Sequence, residues 1–331
     1  MKDLFGKFSK TALRNTTPLL FVLLFVIFGL IAPRFLTVKN LEIIVSNASY
    51  IGIIAVGMTF VLLTGGIDLS VGAVMYVSAV VMGLVVNQAG LPVVVGLVAC
   101  LAVGLVFGIV NALLITRFHV VPFIATLITL TAGRGVGLLL TKSKAVDFGD
   151  EITLMATMRV GGLVQLNIFI FALVVLIATL YLGWTGAGRR LYAVGNDPEA
   201  AKKAGLKTDL ITASTYLISG LCAALGGFVT IAQLGRVNAG FGQGDEFDAI
   251  AAAVLGGASL FGGVGSIFPG TVLGTIMIQM IQAGLVFANI DLYIQPVVMA
   301  GIIFFAVFLD SFRSTQLEKL ERRNIMKLTE Q

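Results

Sequence analysis

Ten apolar blocks, near residues 18–32, 43–63, 70–87, 91–115, 120–141, 164–183, 211–232, 248–262, 266–288 and 293–310, take up most of the chain. Inside a bilayer each backbone N–H and C=O must be satisfied by the protein itself, and a helix needs about 20 residues to cross the hydrocarbon. Blocks of this length predict helices. The chain is therefore read as an all-α, polytopic transmembrane bundle of about ten membrane helices. Composition agrees: 58% of the 331 residues are hydrophobic and 12% charged, where a soluble domain has about 25% charged. The 39 glycines would mark loops in water, but in lipid they suit helices packed backbone to backbone.

Charge sets the expected topology. Lys2, Lys7, Lys10 and Arg14 precede the apolar run Pro18–Ala32. Pro33-Arg34-Phe35 follows instead of a small-residue cleavage site, so this run is read as a retained first span. Basic flanks mark the cytoplasmic side, and Arg313, Lys319, Arg322, Arg323 and Lys327 put the other terminus there too. The crossings must then be even in number: ten, or eight if two blocks are half-spans. The expected organisation is a cytoplasmic segment 1–17, a transmembrane domain 18–310 and a cytoplasmic tail 311–331. On this count the loop Lys142–Arg159 faces outward and the loop 186–209 inward. The net charge of +5 does not signal nucleic acid, because the basic residues sit beside spans and form no single stripe.

Two blocks are short, the first and 248–262, and Gly256, Gly257, Gly262 and Gly263 interrupt the latter. Transporters use short or broken helices to expose backbone groups to a cavity. A faint internal repeat accompanies them. Thr64-Gly65-Gly66-Ile67-Asp68-Leu69-Ser70-Val71-Gly72 and Phe261-Gly262-Gly263-Val264-Gly265-Ser266 each end one apolar run and open another. Duplicated halves are common in transporters, and so are glycine pairs.

The loop 186–209 is the longest polar interruption. It sets Arg189, Arg190, Lys202, Lys203 and Lys207 against Asp197, Glu199 and Asp209. Asn196 or Asp197 can cap a short helix, Pro198 fits its first turn, Glu199 suits its positive end and Gly205 stops it. Two readings stand: an ordinary solvated loop, or a docking element for a soluble partner.

Charges within the apolar blocks must face protein or water, since each costs at least about 2.5–3.5 kcal/mol at mid-membrane. Asp68 is either a helix cap at the membrane surface or part of a path lining. Arg134 pairs with a buried carboxylate or contacts a solute. Thr126, Gly133 and Gly137 share one helical face, suited to a neighbouring helix or to a polar cavity. Asp245, Glu246 and Asp248 sit where a helix N-terminus would favour acids. Asn47 and Tyr50 offer hydrogen bonds to a solute or to another helix. Cys100 and Cys222 read as small packing residues, and His119 has no metal-binding neighbour. The sequence contains no G-x-x-x-x-G-K-S/T phosphate loop, no metalloprotease or nucleophile-elbow motif, and no string of mid-span acids. ATP hydrolysis and covalent catalysis are not expected of this chain, nor is a cofactor or metal.

At this point the residues resemble a family: the permease subunits of ABC-type sugar importers, the ribose, xylose and galactose group. The resemblance runs from about Phe35 to Asp310. It is carried by Ala55-Val56-Gly57-Met58-Thr59 with the Thr64–Gly72 segment, and by Pro122-Phe123-Ile124-Ala125-Thr126-Leu127 with Arg134-Gly135. Tyr192-Ala193-Val194-Gly195-Asn196 and Phe247–Gly257 with Gly262-Gly263-Val264-Gly265 complete it. Val264 departs from the pattern, where relatives often place a basic residue, and Gly244-Asp245-Glu246-Phe247 is more acidic than usual.

The resemblance implies a bacterial cytoplasmic (inner) membrane protein, surrounded by lipid. It implies a second permease copy or homologue, a cytoplasmic ATPase that holds the ATP and Mg, and an extracellular sugar-binding protein. It also implies that Tyr192–Leu206 is the ATPase-coupling element. Arg190, Tyr192, Asn196, Asp197, Pro198, Glu199, Ala200, Lys203 and Gly205 are then its candidate residues. Asn47, Tyr50, Asp68, Ser70, Phe123, Thr126, Arg134 and Asp248 are the candidates for the translocation path. The expected function is import of a monosaccharide by alternating access. The alternatives are another small polar solute, such as a furanosyl autoinducer-like compound, inositol or a nucleoside, or else an ATP-independent carrier or channel.

Overall fold

The computed structural model describes residues 16–301 together with 304, 305 and 308. The basic N-terminal stretch 1–15 and the tail 311–331 lie outside the described residues. The helices are α1 (Thr16–Ile31), α2 (Val38–Leu63), α3 (Val71–Gly83), α4 (Val93–Thr116), α5 (Pro122–Thr141), α6 (Leu166–Trp184), α7 (Gly186–Asn196), α8 (Pro198–Lys203), α9 (Thr208–Leu234), α10 (Asp245–Leu255) and α11 (Val272–Phe287). Helix α3 continues in a wider turn, Leu84–Gln88, and residues 295–301 are helical as well. Among the described residues, extended pairing is confined to two short ribbons: Val146–Asp147 with Arg236–Val237, and Arg159–Val160 with Val164–Gln165.

Every apolar block holds a helix. Among the described residues seven are long and apolar enough to cross a membrane: Val38–Leu63, Val71–Gln88, Val93–Thr116, Pro122–Thr141, Leu166–Trp184, Thr208–Leu234 and Ile267–Phe287. Thr17–Ile31 is a shorter apolar helix. The block 248–262 is no full span. Its helix α10 has 11 residues, a rise of about 16 Å, roughly half the hydrocarbon thickness. Gly256 and Gly257 end it, and an irregular loop follows.

The chain divides into two compact units: Glu42–Ile278, and the described parts of Met1–Leu41 and Gln279–Gln331. The larger unit is built around α3, where every residue except Val81 is buried. A helix that is apolar all round has no solvent face to present, so it becomes a core. Helices α4, α5 and α9 pack around it, and α4 and α9 run along each other.

The α4–α9 seam explains the glycine content. The buried face of α4 is Gly96, Cys100, Gly104, Gly108, Asn111, Ala112 and Ile115, while Val94, Val98, Val106 and Leu113 point outward. Small residues four apart let two backbones meet, and dispersion replaces the hydrophobic effect that lipid cannot supply. A Cβ added at Gly104 would strike the Gly220 carbonyl oxygen, and one added at Gly220 would strike that of Gly104. Cys100 and Cys222 are buried free thiols in this packing; Cys222 lies against Gly57 of α2.

In the smaller unit, Phe35 is fully buried and holds an aromatic cluster, with ring centroids 6.2 Å from Phe25, 5.7 Å from Phe28 and 6.5 Å from Phe287. The Asn40 amide donates to the Phe35 carbonyl at 2.8 Å and anchors the short turn Pro33–Leu36.

This seam gives a paired prediction. Gly104→Ala should destabilise the purified protein by roughly 1–3 kcal/mol through overpacking. Gly135→Ala, where an added Cβ meets nothing within 4 Å, should be neutral or stabilise by up to about 1 kcal/mol. Melting temperatures in detergent measure both.

Candidate functional site

The end of α2 and the start of α3 do not join directly. Gly65 adopts φ +72° and breaks the helix, and the chain re-enters α3 at Ser70. Asp68 lies in this gap and is 1% exposed. Its Oδ1 accepts from the Ser70 backbone N–H at 2.9 Å and from Ser70 Oγ at 2.6 Å, and its Oδ2 accepts from Ser219 Oγ of α9 at 2.7 Å. The Asn111 amide of α4 donates to Ser70 Oγ at 2.9 Å, and Thr129 Oγ1 of α5 donates to Asn111 Oδ1 at 2.7 Å. All five side chains are buried. Every donor in the chain points toward one carboxylate, as a desolvated acceptor requires. Asp68 thus tethers α4, α5 and α9 to the α2–α3 break, and is not a cap at a surface.

A second polar centre lies at the start of α3. Arg134 of α5 donates from Nη1 to the Phe241 carbonyl at 2.5 Å, and its guanidinium carbon stands 5.5 Å from the centre of the Tyr76 ring. Gly242, with φ +68°, brings its carbonyl against Gly72, one residue into α3. Glu246, in the first turn of α10, is 6% exposed and also faces Gly72. Neither Arg134 Nη2 nor Glu246 Oε2 has a hydrogen-bond partner among the described residues. The beginnings of two helices, α3 and α10, therefore meet here with a cation and a carboxylate between them. Asp245 lies within electrostatic reach of Arg134, and Tyr50 within that of Asp245 and Asp248.

The third element is the loop 186–209. It forms two helices with a sharp corner. Thr185 caps α7 by accepting from the Gly188 N–H at 3.1 Å, and Asp197 caps α8 by accepting from the Ala200 N–H at 2.9 Å. Pro198 opens α8, and Gly205 leaves it at φ +84°. Asn196 is the last residue of α7, so the cap belongs to Asp197. The C-terminal end of α7 rests on both glycine loops. Tyr192 Oη donates to the Gly265 carbonyl at 2.8 Å, Asn196 lies against Gly263, and Gly195 lies against the Leu63 carbonyl. Burial holds the Tyr192 phenol above its ordinary range, so it stays a donor. The glycine loops also touch each other. The Gly263 N–H donates to the Leu63 carbonyl at 3.0 Å, and Gly262 abuts Gly65. The two segments of the faint repeat are thus side by side.

The structure brings Asp68, Ser70 and Thr126 together: Thr126 Oγ1 reaches the Ile67 carbonyl at 3.3 Å while bonding Pro122 of its own helix at 2.9 Å. Gly133 faces Ala73 and Phe107, and Gly137 faces Tyr76, so this side of α5 is a helix contact. Phe123 is 50% exposed, and its backbone carbonyl accepts from Thr126 Oγ1 at 3.3 Å. Asn47 is exposed on α2. Asn111, Ser219, Tyr76 and Glu246 were not among the path candidates. The one sequence signal for Asn111 and Ser219 is a polar residue on a small-residue face, and only the crossing of helices gives it meaning.

Residues 40–309 match the family described as branched-chain amino acid transport system / permease component. The chain belongs to this permease family. Over 313 residues the permease is 35% identical to the ribose import permease protein of Escherichia coli (strain K12), covering 92% of this chain and 96% of that one. It is 38% identical over 305 residues to the ribose import permease protein of Bacillus subtilis (strain 168), covering 89% and 91%. The autoinducer 2 import system permease protein of Photorhabdus luminescens is 31% identical over 319 residues, covering 95% and 94%. No solved structure matches the permease at a significant level.

Removing the Asp68 carboxylate strands three donors, two on Ser70 and one on Ser219, in the permease core. Asp68→Ala should cost about 2–4 kcal/mol, read as a lowered melting temperature. Ser219→Ala, which removes one donor and leaves the others paired, should cost about 1 kcal/mol.

Proposed function

We propose that the chain is the membrane subunit of an ATP-driven, binding-protein-dependent importer, and that it moves a small sugar by alternating access. The observation that carries this reading is the near full-length likeness to import permeases for ribose. In this reading the chain sits in a bacterial cytoplasmic membrane with both termini inside. It pairs with a second permease, receives solute from an extracellular binding protein, and is driven by a separate cytoplasmic ATPase that carries ATP and Mg. The work is done by biasing which state is favoured, and the permease makes no covalent bond.

The α7–α8 pair is the proposed docking element. Arg190, Glu199, Lys203 and the corner Asn196-Asp197-Pro198 form its charged face, and Ala200 and Gly205 shape the short helix. Beside it lies an open cleft of about 520 Å³ whose lining includes Arg190, Leu191, Leu206, Lys207 and Ile211. Movement of α7 is passed to both glycine loops through Tyr192, Gly195 and Asn196, and from there to the helices that start beyond them. The neutral character of a sugar suits a path whose buried charges occur in opposed or hydrogen-bonded sets. The autoinducer 2 relative favours a second reading, in which the same machine carries a furanosyl solute.

Two variants test the docking reading in the assembled transporter. Glu199→Lys reverses the charge at the start of α8 and should weaken co-purification of the ATPase subunit; intact assembly and import would count against docking here. Tyr192→Phe keeps the docking face but removes the bond to Gly265, worth about 1 kcal/mol, or about fivefold. It should retain the ATPase and its hydrolysis while lowering sugar imported per ATP by about that factor, measured in proteoliposomes.

A further inference from the structure

Among the described residues two charged atoms have no hydrogen-bond partner and face the same point. Arg134 Nη2 and Glu246 Oε2 both border Gly72, the second residue of α3. Glu246 is 94% buried by its 6% exposure. A buried charged group without its bonds costs about 1–3 kcal/mol or more, and native structures rarely keep one without a use. The two sides of this place come from different elements. Arg134 is held by its other nitrogen on the Phe241 carbonyl and by the Tyr76 ring. Glu246 is held by the first turn of α10, beyond Gly244 at φ +93°. A Cβ at Gly72 would strike Glu246 Oε2 and the Gly242 carbonyl and crowd Arg134 Nη2, so a glycine is needed for these atoms to converge here.

We propose that Arg134 and Glu246 form a hydroxyl-binding couple that grips the solute in the middle of its passage. The inference rests on the sugar reading above and names the contact within it. A hydroxyl is both donor and acceptor, so one C–OH accepts from Arg134 Nη2 and donates to Glu246 Oε2, satisfying both orphan atoms at once. A cation and a carboxylate together carry no net charge, which matches a neutral polyol and rejects an anion or cation of similar size. The couple bridges α5 and α10, so filling it with solute changes the contact between two elements that start or cross at the α3 break. Asp245 and Asp248 share the first turn of α10 and are not members of this couple.

The test uses the complete importer, with its ATPase and binding protein, in proteoliposomes. The probes are labelled pentoses and hexoses, and monodeoxy analogues that the same binding protein delivers. Because the binding protein is unchanged between variants, any change in the ratio of parent to deoxy import reports the permease. Glu246→Gln and Arg134→Lys should each lower the maximal import rate about tenfold, leave ATPase assembly intact, and bring the parent-to-deoxy ratio close to one. Should Glu246→Gln fail to assemble, Glu246→Asp gives the same readout with a displaced acceptor. Import at the wild-type rate, or slowed import with the discrimination ratio unchanged, overturns the couple while leaving the sugar reading in place. A wild-type complex that imports none of these sugars removes the sugar reading and the hydroxyl ligand with it.

Discussion

One desolvated carboxylate holds the centre of this protein together. Asp68 cannot be hydrated where it lies, so its charge is tolerable only if protein donors surround it. Ser70 and Ser219 supply the direct bonds, and Asn111 and Thr129 extend the set. These residues belong to the α2–α3 break and to α9, α4 and α5. Any arrangement of those helices that loosens one of them leaves a charged or polar group unpaired. In lipid, where apolar surface alone gives little preference between packings, such a network selects one arrangement of helices over its competitors.

Glycine makes that arrangement possible. Gly104 against Gly220, and Gly57 against Ser219 and Cys222, let α9 approach both α4 and α2 closely enough for Ser219 to reach Asp68. A different use of glycine appears at the loops. Gly65, Gly262 and Gly263 adopt positive φ, and Gly262 and Gly263 stack against the end of α7. There the residue is needed for backbone conformation as much as for space. The break at Gly65 leads into α3, and Gly242 and Gly244, also at positive φ, lead into α10; these are the two helix starts that face one another near Gly72. The interruptions therefore link the proposed docking helices to the polar centre through backbone contacts rather than through long side chains.

Much of this was legible in advance, for reasons that differ by element. The ten apolar blocks could be counted because spanning a bilayer demands length and uniform hydropathy, and each of them proved to hold a helix. The cap at Asp197, the proline at the start of α8 and the stop at Gly205 were readable because capping is local chemistry. Helix α7 was not expected: Gly186, Gly188 and Gly195 lower its propensity, and it is held by its seat on the glycine loops. Asp68 was open to two readings, a surface cap or a path lining, because the sequence shows only the Gly65-Gly66 pair before it, whereas its partners are 2 and 151 residues away. Phe123 sits in a motif of the family, yet it lies on the exposed side of α5.

The amino-acid sequence alone determined the solvent this protein lives in, which segments become apolar helices, and where the polar interruptions fall, because these depend on hydropathy and local backbone preference. Only the tertiary structure decided which lone polar residues meet. Asp68 with Ser219, Arg134 with the Phe241 carbonyl, and Tyr192 with Gly265 are pairings across crossed helices and broken ends. Their geometry is set by how closely small residues let backbones approach, and no one-dimensional period records that distance.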